Sequence, residues 1–263
     1  MGAHHPVKIR GSNGPDGGIP VRPILERKGK TMEFNEMVHA TIAACFHVRL
    51  TGAFGERGRM AFLHATRCYA EQRGRRMAQR AIRDGVEVLD WGAYLRYGEW
   101  ENTGDAKRLG CANQKEVLSL SPDYVIRITS CPWHARFAQL GLTQAGRDYC
   151  RDLDRSIARG FNPDLVFELK CTLHDGPCCV QAMRGADFAP GQEHPPRNPG
   201  ALRSFEYHCG HSYWTYRRIA GAVFGAEGRQ AAERVLSDLA EYCGKETAER
   251  LLRFRKSAFS LCG

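Results

Sequence analysis

Asp164 to Thr172 alternates apolar and polar residues. Leu165, Phe167, Leu169, Cys171 and, one step further, Leu173 fall on one side, and Val166, Glu168, Lys170 and Thr172 on the other. A period of two predicts a half-buried strand. His174-Asp175-Gly176-Pro177 then reads as a turn, and Cys178 to Arg184 as a returning strand, which makes an antiparallel hairpin. Pairing Leu173 with Cys178 across the turn puts Cys178, Val180 and Ala182 on the core face. Cys179 then lies opposite, beside Thr172 and Lys170, where it is solvent-exposed or lines a cleft covered by helices. The β-branched run Tyr124–Cys131 predicts a further strand. Trp133–Leu140 and Gln144–Arg159 take helical spacing, and Gly160-Phe161-Asn162-Pro163 stops the second helix because proline forbids its continuation.

The two ends of the chain carry a different pattern. Phe54-Gly55-Glu56-Arg57-Gly58 aligns with Phe224-Gly225-Ala226-Glu227-Gly228, and at the same offset Gly74 meets Gly244. Each copy predicts helix, FGxxG turn, helix, glycine break and short helix, with glycine supplying the positive φ that ends a helix. The fold expected is α+β, with helical hairpins at both ends packed on a small central antiparallel sheet. Residues 1–31 are rich in glycine and proline and predict a flexible N-terminal arm. Residues 32–263 then form a single domain, helical over 32–110, with the cysteine-rich sheet and helices over 120–184, a Gly/Pro-rich linker at 185–203 and helices over 204–258.

Composition narrows the function classes. A net charge of +9 invites a nucleic-acid partner, but the arginines Arg57, Arg59, Arg67, Arg73, Arg75, Arg76, Arg80 and Arg83 interleave with glutamates and apolar residues as solvated helix faces would. No zinc-finger spacing or aromatic RNA-binding motif accompanies them, so the charge is assigned to attraction of an anionic small molecule. No apolar run is long enough to span a bilayer, and the N-terminus lacks the apolar stretch of a signal peptide. A cytoplasmic protein with no nucleic-acid or membrane partner is expected, and an exposed sheet edge would allow a homodimer. Its 11 cysteines are then reduced thiols. Cys131, Cys171 and Cys178 are expected to pack as small core residues, and Trp133 to anchor the sheet.

Five of those cysteines fall between Cys131 and Cys179, and Tyr207-His208-Cys209-Gly210-His211 follows. Candidate chemistry gathers there: a polar-face thiol at Cys179, acids at Asp152 and Asp154, and two histidines three residues apart. A thiolate nucleophile with an imidazole or carboxylate to move protons suits attack at an electrophilic carbon bearing nitrogen. His208 and His211 with Cys150 and Cys179 would alternatively make a zinc site, although no CxxC half is present. No cofactor is expected unless zinc fills that site. A non-catalytic module that binds a small molecule or a metal in the same cleft is the competing class.

The order Cys131-x-Trp133, Cys150 with Asp154, Gly160-Phe161-Asn162-Pro163, Thr172-Leu173-x-x-Gly176-x-x-Cys179 and Tyr207-His208-x-Gly210-His211 resembles the L-2-amino-thiazoline-4-carboxylic acid hydrolase family over roughly residues 40–250. The resemblance implies hydrolytic opening of a small nitrogen heterocycle of thiazoline, cyclic amidine or lactam type. A nucleophile adds to the carbon between the ring heteroatoms, and an N-carbamoyl amino acid is released. For such a reaction we expect Cys179 as nucleophile, His208 or His211 as proton shuttle and Asp154 as the group that orients a histidine or the substrate nitrogen. Lys170 would hold a carboxylate, and Cys150, Thr172, Trp133 and Tyr207 would contact substrate. Family members typically follow the last cysteine with an acid and an aromatic residue. Val180-Gln181 stands there instead, which predicts a change of ring specificity.

Overall fold

The computed structural model describes residues 31–191 and 196–262. The predicted arm, apart from Thr31, and residues 192–195 of the predicted linker lie outside the described residues.

A long helix, α1 (Glu36–Arg83), begins where the Asn35 side chain accepts from the backbone N–H groups of Met37 and Val38 at 3.0 and 3.1 Å. Its C-terminal counterpart is α6 (Phe205–Cys243), capped by Ser204. Both bend sharply at the predicted glycines, with Gly55 at φ 59° and ψ −137° and Gly225 at φ 61° and ψ −129°. A side chain at positive φ is strained, so glycine is required there. A Cβ on Gly58 would lie 1.9 Å from the Leu50 carbonyl oxygen, and one on Gly228 2.0 Å from that of Ala220, the residue equivalent to Leu50 in the repeat. The two turns meet through Phe54 and Phe224, whose rings stack with centroids 3.8 Å apart.

The repeat stops short of the second break. Gly244 (φ 95°) ends α6 ahead of the short α7 (Lys245–Arg250), whereas Gly74 lies inside uninterrupted helix. Gly74 serves packing instead. A Cβ there would lie 2.1 Å from the Ile157 carbonyl oxygen, and one on Gly160 2.4 Å from that of Glu71. These two bare positions let α1 cross α5 (Thr143–Phe161) at close range, which brings Arg73 and Asp154 toward the same space.

Between α1 and α5 in the chain lie α2 (Trp91–Arg96), α3 (Gly104–Arg108), β1 (Gln114–Ser119), β2 (Tyr124–Ser130) and α4 (Pro132–Gln139). The strands β3 (Phe167–Cys171) and β4 (Cys179–Met183) complete an antiparallel sheet of order β1-β2-β4-β3. The architecture is α+β, with the helices against one sheet face. No described helix is long and apolar enough to cross a membrane.

The hairpin register corrects one expectation. Next to the turn Cys171 pairs with Val180, as the predicted register requires. Beyond a bulge at Lys170 the pairs become Leu169 with Gln181, Glu168 with Ala182 and Phe167 with Met183. One extra residue exchanges the faces. Cys179, Gln181 and Met183 therefore share the helix-covered face with Leu169 and Phe167, and Cys178 turns away. Cys171 is exposed and Cys178 half-buried, so neither is a core residue as expected; the fully buried thiols are Cys45, Cys209 and Cys243.

A second correction concerns the arginines. Arg73, Arg76 and Arg80, at helical spacing on α1, are 7%, 1% and 1% exposed, not a solvated face. They converge on Glu99, itself fully buried in the loop after α2.

Candidate active site

A cavity of about 400 Å³ opens between the helix-covered sheet face and the helices α1 and α5. This volume lies in the range of small-ligand sites. Its floor is β4 and β3, with Cys179, Gln181, Met183 and Leu169. Ile126 and Ile128 of β2 continue the apolar floor, and α5 contributes Tyr149, Cys150, Leu153 and Asp154. Cys131, Trp133 and Thr172 complete the inner wall, and Lys115 and Arg197 add positive charge to the lining.

Cys179 sits at the start of β4, where its Sγ accepts the Leu173 backbone N–H at 3.2 Å. Burial raises the thiol's pKa, and this hydrogen bond acts in the opposite sense. Two residues along the same face, about 7 Å away by strand geometry, the Gln181 side-chain amide donates to Asp154 Oδ2 at 3.1 Å. Burial also raises the Asp154 carboxyl, with Arg73 and Gln181 pulling against it. A carboxyl with raised proton affinity and a thiol therefore line the same cavity, the carboxyl held by the residue two positions along β4 from the thiol. Such displaced carboxyls suit acid–base work.

The other cavity thiols are raised as well. Burial pushes Cys131 up to about 11, and Cys150 well above its ordinary range. Cys150 Sγ lies 3.5 Å from His174 Nε2, but burial and the nearby His134 lower His174 to about 4, so that imidazole is a weak base.

The structure separates the predicted site residues into two groups. Cys179, Asp154, Cys150, Thr172 and Trp133 line the cavity together. His208, His211, Tyr207 and Lys170 do not. Lys170 is exposed beside the bulge, and Asp152 pairs with Arg67 at 2.6 Å. His208 is buried in α6 and donates from Nε2 to the Glu99 carbonyl oxygen at 3.2 Å, with burial first and Arg73 second lowering it to about 3. His211 donates from Nε2 to Gln72 Oε1 at 2.8 Å, and burial likewise lowers it well below its ordinary range. Burial favours the neutral form of both, each is hydrogen-bonded to an internal partner, and neither lines the cavity. Tyr207 packs on Arg76 and Phe259. The conditional zinc set of His208, His211, Cys150 and Cys179 does not converge, and among the described residues no group of three or more histidine, cysteine or acidic side chains is arranged to hold a metal ion.

Several lining residues carry no signal in the sequence motifs, among them Arg73, which the spacing alone places on a solvated helix face. His39 of α1 accepts from Trp133 Nε1 at 3.0 Å on Nδ1 and donates from Nε2 to the Tyr69 hydroxyl at 3.1 Å, so it is held as one neutral tautomer. Lys115 belongs to the unpredicted strand β1, and Arg197 to the predicted linker. Gln181 was noticed only as a departure from a motif, although it is the residue that positions Asp154.

No curated protein and no solved structure matches the chain. A family model does match, over residues 35–181, more than half of the chain and the segment that supplies nearly all of the cavity lining. The thiol, the displaced carboxyl and most of the cavity wall thus lie in the matched segment, and the chain belongs to the L-2-amino-thiazoline-4-carboxylic acid hydrolase family.

Proposed function

We propose that this hydrolase opens a small cyclic amidine of thiazoline type in the cavity, with Cys179 as nucleophile and Asp154 as the proton-transferring group. The observation that carries the reading is the pairing on one strand face of a thiol that accepts a backbone N–H with a carboxyl held by Gln181. In the first half-reaction Asp154 takes the Cys179 proton by way of the substrate or a water, and the sulfur adds to the carbon between ring sulfur and ring nitrogen. The bond from that carbon to the ring sulfur breaks, and the proton goes to the leaving sulfur, which becomes a free thiol. In the second half, water adds to the same carbon and gives a proton to Asp154, the bond from that carbon to Cys179 breaks to leave an N-carbamoyl group, and Asp154 returns the proton to the departing Cys179 sulfur. The net reaction is substrate plus one water. The substrate is an anionic small molecule, attracted by the positive charge that lines the cavity.

This reading reassigns the proton carrier from His208 or His211 to Asp154 and leaves Cys150 as wall. Mass analysis of acid-quenched full-length chain during turnover of 2-amino-thiazoline-4-carboxylate should find the chain heavier by one substrate, with the added mass on the peptide holding Cys179. Mass on Cys150 would move the nucleophile to α5 and sink the assignment.

A further inference from the structure

We propose that Arg73 is the anchor for the carboxylate of the ring substrate, held at the cavity's inner wall by the buried Glu99 node. The inference rests on the hydrolase reading above and adds to it the position of the substrate's charge and the orientation of its ring.

Three guanidinium groups share one carboxylate. Arg76 donates to both Glu99 oxygens, at 3.2 and 2.8 Å, and Arg80 to Oε1 at 2.5 Å. Arg73 is left with a 3.5 Å approach of Nε to Oε2, and its buried Nε makes no hydrogen bond. Its side chain is only 9% exposed, and it lines the cavity. No ion pair joins it to Asp154 among the described residues. A guanidinium presents five donors in a planar fork that matches a carboxylate, so one almost buried and almost unsatisfied is a costly feature unless a ligand completes it.

The charge balance points the same way. The node holds three cations against one anion, and Arg197, on the same cavity lining, is lowered by its burial, with Glu101 of the lining pulling against that and Arg73 adding to it. An anion in the cavity relieves both. Arg73 also precedes Gly74, at the point where α1 crosses α5, so its guanidinium faces the same space as Asp154. A carboxylate held there directs the ring it carries away from α1 and toward the β4 floor, where Cys179 opens.

The test is calorimetric titration of the full-length chain with two probes that lack an amidine carbon and cannot be turned over: L-thiazolidine-4-carboxylate, and thiazolidine without the carboxylate. The carboxylate probe should bind at least ~100-fold more tightly than thiazolidine, as expected for loss of a charge-assisted bidentate contact. Arg73→Gln should lose that preference, and Arg73→Lys should recover part of it. Equal binding of the two probes by the parent chain, or no binding of the carboxylate, overturns the anchor without need of any variant. So does an Arg73→Gln chain with unchanged melting that keeps the preference. Turnover surviving in Cys179→Ala would defeat the nucleophile and leave these titrations, and the anchor they test, unaffected.

Discussion

Replacing Glu99 by glutamine is the most severe change of least shape that this structure offers. The side chain is fully buried, and three guanidinium groups of α1 depend on it. Burial alone would raise its carboxyl, yet Arg76 and the other cations around it hold it at about 2 against an ordinary 4.5. That difference corresponds to about 3 kcal/mol of favourable interaction with the charged form. The mutational expectation for removing one partner of a buried ionic cluster is about 3–5 kcal/mol, because the remaining charges stay desolvated. The two agree, and they amount to a large part of the ~5–15 kcal/mol that holds a typical domain folded. At about 2–4 °C per kcal/mol for a chain near this size, Glu99→Gln should lower the melting temperature by roughly 6–20 °C. Scanning calorimetry at neutral pH measures this, and the loss should persist at high salt because the cluster is shielded from solvent ions. A melting temperature within 2 °C of the parent would refute the account of the node as a charge-dependent brace.

Acid should destabilise the protein earlier than its carboxylates require. His208 is lowered to about 3 and His39 and His211 are lowered as well, chiefly by burial, so the unfolded chain binds protons below about 6.5 that the folded chain refuses. Stability from these groups is complete above about 6.5 and is lost as pH falls toward 3. At pH 5 the loss is on the order of 2 kcal/mol per such histidine. Urea midpoints at pH 7.5 and pH 5 should show it, His208→Gln should flatten part of the slope, and equal midpoints in the parent would contradict it. At the helix turns, Gly58→Ala and Gly228→Ala should each cost about 1–3 kcal/mol as an overpacked contact. Gly52→Ala, where a Cβ meets nothing within 4 Å, should be neutral or better; urea unfolding that ranks the three alike would mean that the turns do not close as described.

The parts of the fold that sequence reveals are those with a local physical cause. The FGxxG turns were legible because positive φ selects glycine, the helices because their apolar spacing is strong, and β2 because its residues are β-branched. β1 was not, since Gln114–Ser119 is a polar edge strand with little alternation. The hairpin was found, but its register was not, because nothing in the alternation from Asp164 to Thr172 marks Lys170 as the bulged residue. That single residue decides that Cys179 and Gln181 face the cavity. The arginines of α1 were misread for a related reason: their spacing fits a solvated face equally well, and only the loop carrying Glu99 turns it into a buried one. Within the site, Cys179, Asp154, Cys150, Thr172 and Trp133 were recognisable from ordered motifs. His39, Lys115 and Arg197 come from α1, an edge strand and a linker, and no motif joins them. His208 and His211 had the residue types of catalysis in the environment of a core.

The central claim, that Cys179 carries the chemistry, is tested most directly by turnover of 2-amino-thiazoline-4-carboxylate by Cys179→Ala beside Cys150→Ala, with both variants shown to melt as the parent does. The account predicts that Cys179→Ala loses at least ~10³-fold in kcat, as removal of a nucleophile does, while Cys150→Ala stays within about tenfold. Cys179→Ala turning over within tenfold of the parent would contradict it.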